Sequence, residues 1–525
     1  MGALASDISR TPLLSAVLAE AAHRDPGRVA VGTPSGATNY RQLAEIAGRV
    51  QSAIVQLGVR HGDRVAIIGA PVTEHTIAAI HGVLAAGAIW VPIDPGSPPA
   101  RWASIVAMAD PAAVVAYAGA LDLFTAVAPN IPAVVIDKPA KKLLDEVPAT
   151  GKRIWLGDIG PAELRPHGGD QADIAYILPT SGTTGVPKGV ALSHQAGLAF
   201  ADWMVSQFAV SADDVVAAHA PLHFDMSVFS LFGTARAGAS IVPVPLQLSS
   251  FPAELADWIA NQRISVWFSV PYPLIRLARL GVDGLLQVRN TLRTVLFGGE
   301  VFAHEQLAVL MRALPDTQFA NLFGPTETNA CTAEVLTEIP SEPVPIGRAT
   351  AGAHCWVEDH QGRVLTADGS VGELVVAGPT VASGYWGQME AGAGGFRVGP
   401  ELWAGRGFAT GDWVEIYSGR RFLYRGRRDH MVKINGQRLE LGEVESVIAE
   451  LREVRGCCVL PLGGHEDPRL GAVIASEALG EEDIREHCRA RLPRWAVPAR
   501  IVLVEELPLG STGKLDRLAA ATLFT

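Results

Sequence analysis

Short apolar runs alternate with helically spaced stretches over most of the chain, and this alternation restricts the fold more than any other feature. The runs at 65–68, 174–178, 241–244, 266–270 and 294–297 read as buried strands. Between them helical spacing recurs. From Tyr40 to Leu57 the apolar residues Leu43, Ile46, Ala47, Val50, Ala53, Ile54 and Leu57 fall on one helical face. Strands separated by helices can pair in parallel through crossovers, so the pattern predicts an α/β protein with largely parallel sheets.

At 525 residues the chain exceeds what one hydrophobic core serves, and more than one domain is expected. The texture changes after Gly426, where Arg427-Arg428-Asp429-His430 precedes a compact final segment. Predicted there are helices at 441–450 and 484–492 and strands near 457–460, 472–475 and 501–504, enough for a small α+β domain. The expected division is therefore a large N-terminal core over 1–428 and a smaller C-terminal domain over 429–525.

Net charge is −11, which argues against non-specific nucleic-acid binding, since that needs a basic surface. The cysteines, Cys331, Cys355, Cys457, Cys458 and Cys488, are odd in number and form no CxxC pair, so reduced, packed thiols are expected. No basic stretch leads into an apolar run at the N-terminus, and no apolar run reaches the ~18 residues of a membrane span. A cytoplasmic protein without membrane contact is expected. Met1-Gly2 with Ser6 fits the myristoylation pattern, which is short enough to arise by coincidence.

The chemistry gathers first at residues 176–189. Thr180, Ser181, Gly182, Thr183, Thr184, Gly185 and Lys188 follow a predicted strand. Glycines let the backbone approach phosphate oxygens, successive N–H groups form an anion-binding concavity, hydroxyls add donors and Lys188 adds charge. The spacing is not that of a Walker A loop.

This loop resembles the signature loop of the adenylate-forming superfamily, which comprises acyl-CoA synthetases, luciferases and the adenylation domains of non-ribosomal peptide synthetases. Further segments resemble the family's other motifs, in the family's order. They are Leu84–Gly87 with Val91–Pro95, Phe224-Asp225, Asn321–Glu327, Gly372–Leu374, Gly384–Trp386, Thr410–Asp412, Gly426–Asp429 and Gly513-Lys514. The resemblance covers nearly the whole chain. It implies ATP-dependent activation of a carboxylic acid as an acyl-adenylate, with Mg²⁺, on a large α/β domain of stacked sheets and helices plus a small mobile α+β domain.

Residue by residue, the resemblance implies that Glu327 helps hold Mg²⁺ and Thr326 donates to the α-phosphate. Asn321, Phe323 and Gly324 would line the nucleotide site. Asp412 would take the ribose hydroxyls, Arg427 would assist at the ribose or phosphate, and Lys514 would bridge substrate carboxylate and phosphate. Carboxylate attack on phosphorus brings anions together, so this gathering of cations and donors suits the chemistry. Taken singly, each residue also has an ordinary reading, as a helix-start carboxylate, a turn aspartate or a solvated lysine. Asp429 matches the family's hinge between its adenylation and thiol-transfer states, after which Lys433 and Gly436 would face the incoming thiol arm.

Asp225 falls where amino-acid-activating members pair an aspartate with the substrate ammonium; a helix N-cap is its alternative reading. Around it the resemblance places Phe224, Met226, Phe229, Phe268, Leu296, Gly298, Leu322, Ala330 and Cys331. That set is apolar apart from Asp225 and Lys514. Phenylalanines and leucines narrow the cavity while Gly298 and Ala330 return some space. A small neutral amino acid is expected, alanine first, then glycine, serine or proline, with a stand-alone prolyl or β-amino acid ligase as the alternative reading. The leucine–cysteine end of the set also resembles that of stand-alone prolyl carrier-protein ligases.

No carrier domain follows Lys514, so a ligase loading a separate carrier protein through its phosphopantetheine arm is expected. Arg489, Arg491 and Arg494 could offer that carrier a basic contact. The nearest rival is an acyl-CoA synthetase. A non-catalytic binding module would be expected to lack Glu327, Asp412 or Lys514, and all are present.

Overall fold

The computed structural model describes residues 13–33, 36–69, 72–137, 151–181, 187–350, 352–389, 393–398, 406–418, 420–427, 431–434, 436–463, 469–476, 478–508 and 517–524. Gly182, Thr183, Thr184, Gly185, Asp429 and Lys514 lie outside them, as does the Met1-Gly2 pattern.

Two large sheets carry the N-terminal body. In one, Gln318–Phe323, Thr294–Gly298, Val266–Ser269, Val215–Ala218, Ser240–Pro243 and Val29–Thr33 lie side by side and parallel. In the other, Ile174–Thr180, Ile89–Ile93, Arg64–Ile68 and Ala113–Ala116 form the parallel centre. Lys188–Ser193 turns back antiparallel on Ile174–Thr180, with Thr180 opposite Lys188. The two ends of the hydroxyl- and glycine-rich segment, Thr180 and Lys188, thus stand side by side.

The helix Tyr40–Gln56 follows from its sequence. Asn39 accepts the Gln42 N–H at 2.9 Å and Gln42 Oε1 accepts the Asn39 N–H at 2.9 Å, a capping box at the first turn. Its apolar stripe packs on the helix Glu74–Ala85 so closely that a Cβ at Gly82 would stand 2.5 Å from the Ala47 carbonyl oxygen. Only glycine allows that approach.

The expectation of parallel pairing fails for a third sheet. Val364–Leu365, His354–Glu358, Val371–Ala377, Arg406–Tyr417, Phe396–Val398 and Arg421–Arg427 pair antiparallel throughout. The connections 359–363 and 366–370 between the first three of these strands are too short for a helical crossover, and short connections suit antiparallel pairing.

The C-terminal part begins with a hairpin, Met431–Ile434 and Gln437–Glu440. The helices Leu441–Ala449 and Glu481–Arg489 then pack on a sheet of Gly456–Leu462, Arg469–Ala475 and Arg500–Val504. Val444, Ile448, Val459, Ala472, Ile474, Ile484 and Cys488 form a core of its own. The five cysteines are free thiols. Arg489 and Arg491 pair with Glu482 at 2.6 Å and Glu450 at 2.7 Å, which leaves less free positive charge on that face than the sequence suggests. No described helix is long and apolar enough to cross a membrane.

Burial lowers His81, His194 and His219 from 6.5 to about 4 each. Between those values the unfolded chain binds more protons than the folded one, so stability is full above pH 6.5 and falls as pH drops toward 4. The thermal midpoint should decline across that interval, and His81→Gln, which cannot take up the proton, should lessen the slope. A midpoint that stays flat from pH 6.5 to 4.5 would contradict this account.

Candidate active site

The carboxyl ends of strands from both sheets converge on two adjoining cavities. A small one of about 130 Å³ is lined by Phe224, Asp225, Met226, Phe268, Leu322 and Ala330, with Thr180, Ser181, Gly324 and Thr326 at its rim. A larger one of about 470 Å³ is bounded by Gly299, Glu300, Asn321, Phe323, Asp412 and Arg427. Lys433 borders both.

Gln318–Phe323 leads into the loop that carries Thr326 and Glu327. The loop folds back so tightly that a Cβ at Gly324 would lie 1.6 Å from the Asn329 carbonyl oxygen, and no other residue fits there. Glu327 has no exposed surface. Arg438 Nη1 donates to both of its carboxylate oxygens at 2.7 Å, and the Tyr385 hydroxyl donates to Oε1 at 2.7 Å. Burial works against the charged form, but the Arg438 guanidinium and the Tyr385 hydroxyl outweigh it and hold the carboxyl below its usual range. The Lys188 ammonium stands 5.3 Å from the centre of the Tyr385 ring.

Asp412 is placed by a bulge. The pairing of Arg406–Tyr417 with Arg421–Arg427 shifts register just after Trp413, leaving Asp412 opposite Arg427. Arg427 Nη1 donates to its carboxylate at 2.7 Å. Burial raises the Asp412 carboxyl, while Arg427 and then Lys433 pull it down. Asp225 is likewise raised, chiefly by burial, with the Lys433 ammonium opposing. Lys433 in turn is lowered by burial against the pull of Asp412 and Asp225, and its ammonium lies 5.9 Å from the centre of the Phe323 ring.

The apolar wall sorts into two layers. Phe268 rather than its neighbour Trp267 faces the small cavity; Trp267 packs on the opposite face of its strand and donates its N–H to Ser269 Oγ at 2.8 Å. Phe229, Leu296 and Cys331 stand behind this wall. Phe229 meets Phe268 edge-on at 6.3 Å, Leu296 is the strand partner of Phe268, and the Cys331 thiol donates to the Phe323 carbonyl at 3.4 Å. Gly298 opens no space to the cavity. A Cβ there would meet the Leu322 carbonyl oxygen at 2.2 Å, so the glycine serves the approach of two strands.

The hairpin Met431–Glu440, which carries Lys433 and Gly436, meets groups of the N-terminal body. Ser181 Oγ donates to the Arg438 carbonyl at 2.9 Å and accepts the Glu440 N–H at 3.3 Å. The Gly436 N–H donates to Glu300 at 2.6 Å. Arg101, on the helix Pro99–Ala109, forms a largely buried ion pair with Glu443 on Leu441–Ala449. Neither Glu300 nor Arg101 stands out in the sequence, and Tyr385 does so only as a motif member.

Residues 18–386 match the model of the AMP-binding enzyme family, and residues 443–514 match that of the AMP-binding enzyme C-terminal domain. The chain is 36% identical over 505 residues to an L-proline–[L-prolyl-carrier protein] ligase of Pseudomonas fluorescens, across 95% of this chain and 96% of that one. It is 34% identical over 492 residues to an L-proline–[L-prolyl-carrier protein] ligase of Streptomyces coelicolor, across 91% and 90%. Among solved structures, the Vibrio cholerae adenylation domain AlmE in complex with glycyl-adenosine-5'-phosphate superposes with a TM-score of 0.84 over 100% of both chains, a likeness of fold at 22% identity.

The placement of Gly298 can be tested apart from activity. Gly298→Ala should destabilise the fold by about 1–3 kcal/mol through overpacking against the Leu322 carbonyl. Chemical denaturation measures this. An unchanged midpoint with altered substrate preference would return Gly298 to the cavity wall.

Proposed function

The chain belongs to the AMP-binding enzyme family and is a ligase, and from that premise we propose that it activates L-proline as prolyl-AMP and passes the prolyl group to the phosphopantetheine thiol of a carrier protein. One observation carries the choice of amino acid: two relatives that match this chain over nine-tenths or more of their own length are named L-proline carrier-protein ligases. The alanine-like substrate expected first from the sequence gives way to the alternative named beside it. The cavity agrees. Asp225 supplies a carboxylate for the secondary ammonium, and Met226, Phe268, Leu322 and Ala330 offer apolar surface to a compact pyrrolidine ring. Alanine would leave much of that surface unfilled, at about 1–3 kcal/mol for each missing methylene.

The reaction has two halves. A carboxylate oxygen of proline attacks the α-phosphorus of ATP and pyrophosphate leaves; then the carrier thiolate attacks the carbonyl and AMP leaves. The larger cavity suits the adenosine, with Asn321 and Phe323 beside the base and Asp412 and Arg427 at the ribose. Thr180, Ser181 and Lys188, with the loop between them, suit the phosphates. Glu327 fits a Mg²⁺ ligand, because its buried carboxylate already faces a cation and a hard ion prefers oxygen. When bound, the ion would neutralise phosphate charge. Lys514 and Thr326 act at the reacting carboxylate and α-phosphate, and the 1–428 and 429–525 bodies turn about Asp429 between the two halves.

Amino-acid-dependent ATP–pyrophosphate exchange tests the substrate. Proline should exceed alanine, glycine, serine and β-alanine by about tenfold or more. Asp225→Ala should reduce the proline signal by a factor on the order of 100, as expected when a buried charge loses its partner. Alanine as the fastest substrate would refute the proline assignment, and unchanged exchange in Asp225→Ala would point to an acid without an amino group.

The hinge is tested by separating the two halves. Asp429→Pro should keep exchange largely intact while suppressing acylation of a phosphopantetheinylated carrier. Equal loss of both would remove the hinge. Supplying CoA in place of the carrier distinguishes the acyl-CoA synthetase reading, in which CoA would be acylated.

A further inference from the structure

The hairpin Met431–Glu440 does more than approach the site; it occupies groups that the nucleotide and metal would need. Ser181, at the start of the phosphate loop, is bonded to Arg438 and Glu440 through their backbones. Both oxygens of Glu327 accept from the Arg438 guanidinium at 2.7 Å. The carboxylate has no exposed surface, and its Oε1 also accepts from Tyr385. A divalent ion on this carboxylate would place a second cation against the guanidinium in a site shielded from water, where like charges repel strongly.

We propose that Arg438 and the divalent metal take turns on Glu327, so that docking of the hairpin and binding of the metal–nucleotide exclude one another. The inference rests on the reading of Glu327 as the metal ligand, and adds that its counter-ion in the metal-free state is supplied by the C-terminal domain. Metal and nucleotide arriving together displace Arg438. When metal and pyrophosphate depart, Arg438 returns, so that Glu327 is not left as a buried charge without a partner. The same return brings Gly436 and Lys433 to the cavities, in the arrangement suited to the thiol step.

The test is a binding measurement on the full chain, without turnover. Mn²⁺ is titrated in the presence of α,β-methylene ATP, which cannot be cleaved at the reacting bond, and bound ion is read by electron paramagnetic resonance. Arg438→Gln should tighten Mn²⁺ binding by about tenfold, because a competing state has been removed. Gly436→Ala tests the same point with Arg438 intact. Gly436 has φ +78°, and a Cβ there would lie 2.2 Å from Val270 Cγ1, so the substitution lifts the hairpin off the core. It too should tighten Mn²⁺. If both variants bind Mn²⁺ no better than the parent while Glu327→Gln loses it, the metal assignment stands and mutual exclusion is overturned. If Glu327→Gln binds Mn²⁺ as the parent does, Glu327 is not the ligand and both readings fall.

Discussion

Three carboxylates, Glu327, Asp412 and Asp225, face one water-poor junction, and the organisation of this enzyme follows from the need to give each a cation. Burying an ionised carboxylate without a partner is among the most destabilising things a fold can contain. Here the partners come from other parts of the chain. Arg427 serves Asp412 from the neighbouring strand, Arg438 serves Glu327 from the C-terminal hairpin, and Lys433 opposes the charge of both Asp412 and Asp225. Two of the three cations thus belong to the hairpin, so the electrostatics of the site and the position of the small domain are one problem.

The strands and helices of the N-terminal body were legible because each is encoded locally. The stripe from Leu43 to Ile54 and the apolar runs at 65–68 and 294–297 need no distant information. The third sheet was not legible, because its antiparallel pairing joins strands as far apart in sequence as Val371–Ala377 and Arg406–Tyr417, and no local pattern signals that. Motif positions were legible as a set: Thr326, Asp412, Asp225 and Phe268 do meet at the two cavities. What the sequence could not convey is depth. Phe229, Leu296 and Cys331 sit one layer behind the wall, and Gly298 is spent on a strand contact. Spacing along a strand says which face a residue takes, but not whether another side chain stands between it and the cavity. Arg101 and Glu443 are 342 positions apart, and no local signal links them.

The pair Arg101–Glu443 ties the helix Pro99–Ala109 of the N-terminal body to the helix Leu441–Ala449 of the C-terminal part. It lies on helices rather than in the reacting cavities, with both side chains largely removed from water. An ion pair so placed contributes little net stability over apolar packing, yet leaving one member alone is costly. Such a contact favours states in which it is fully made or fully exposed to solvent, and penalises intermediate ones. The hydrogen bonds of Ser181 and Gly436 have the same character, since each joins an N-terminal-body group to hairpin backbone. In the proposed turning of the small domain, contacts of this kind would favour two well-separated positions of the hairpin over a continuum. Such bistability would suit the proposed two-step reaction, in which Arg438 and the metal take turns on Glu327.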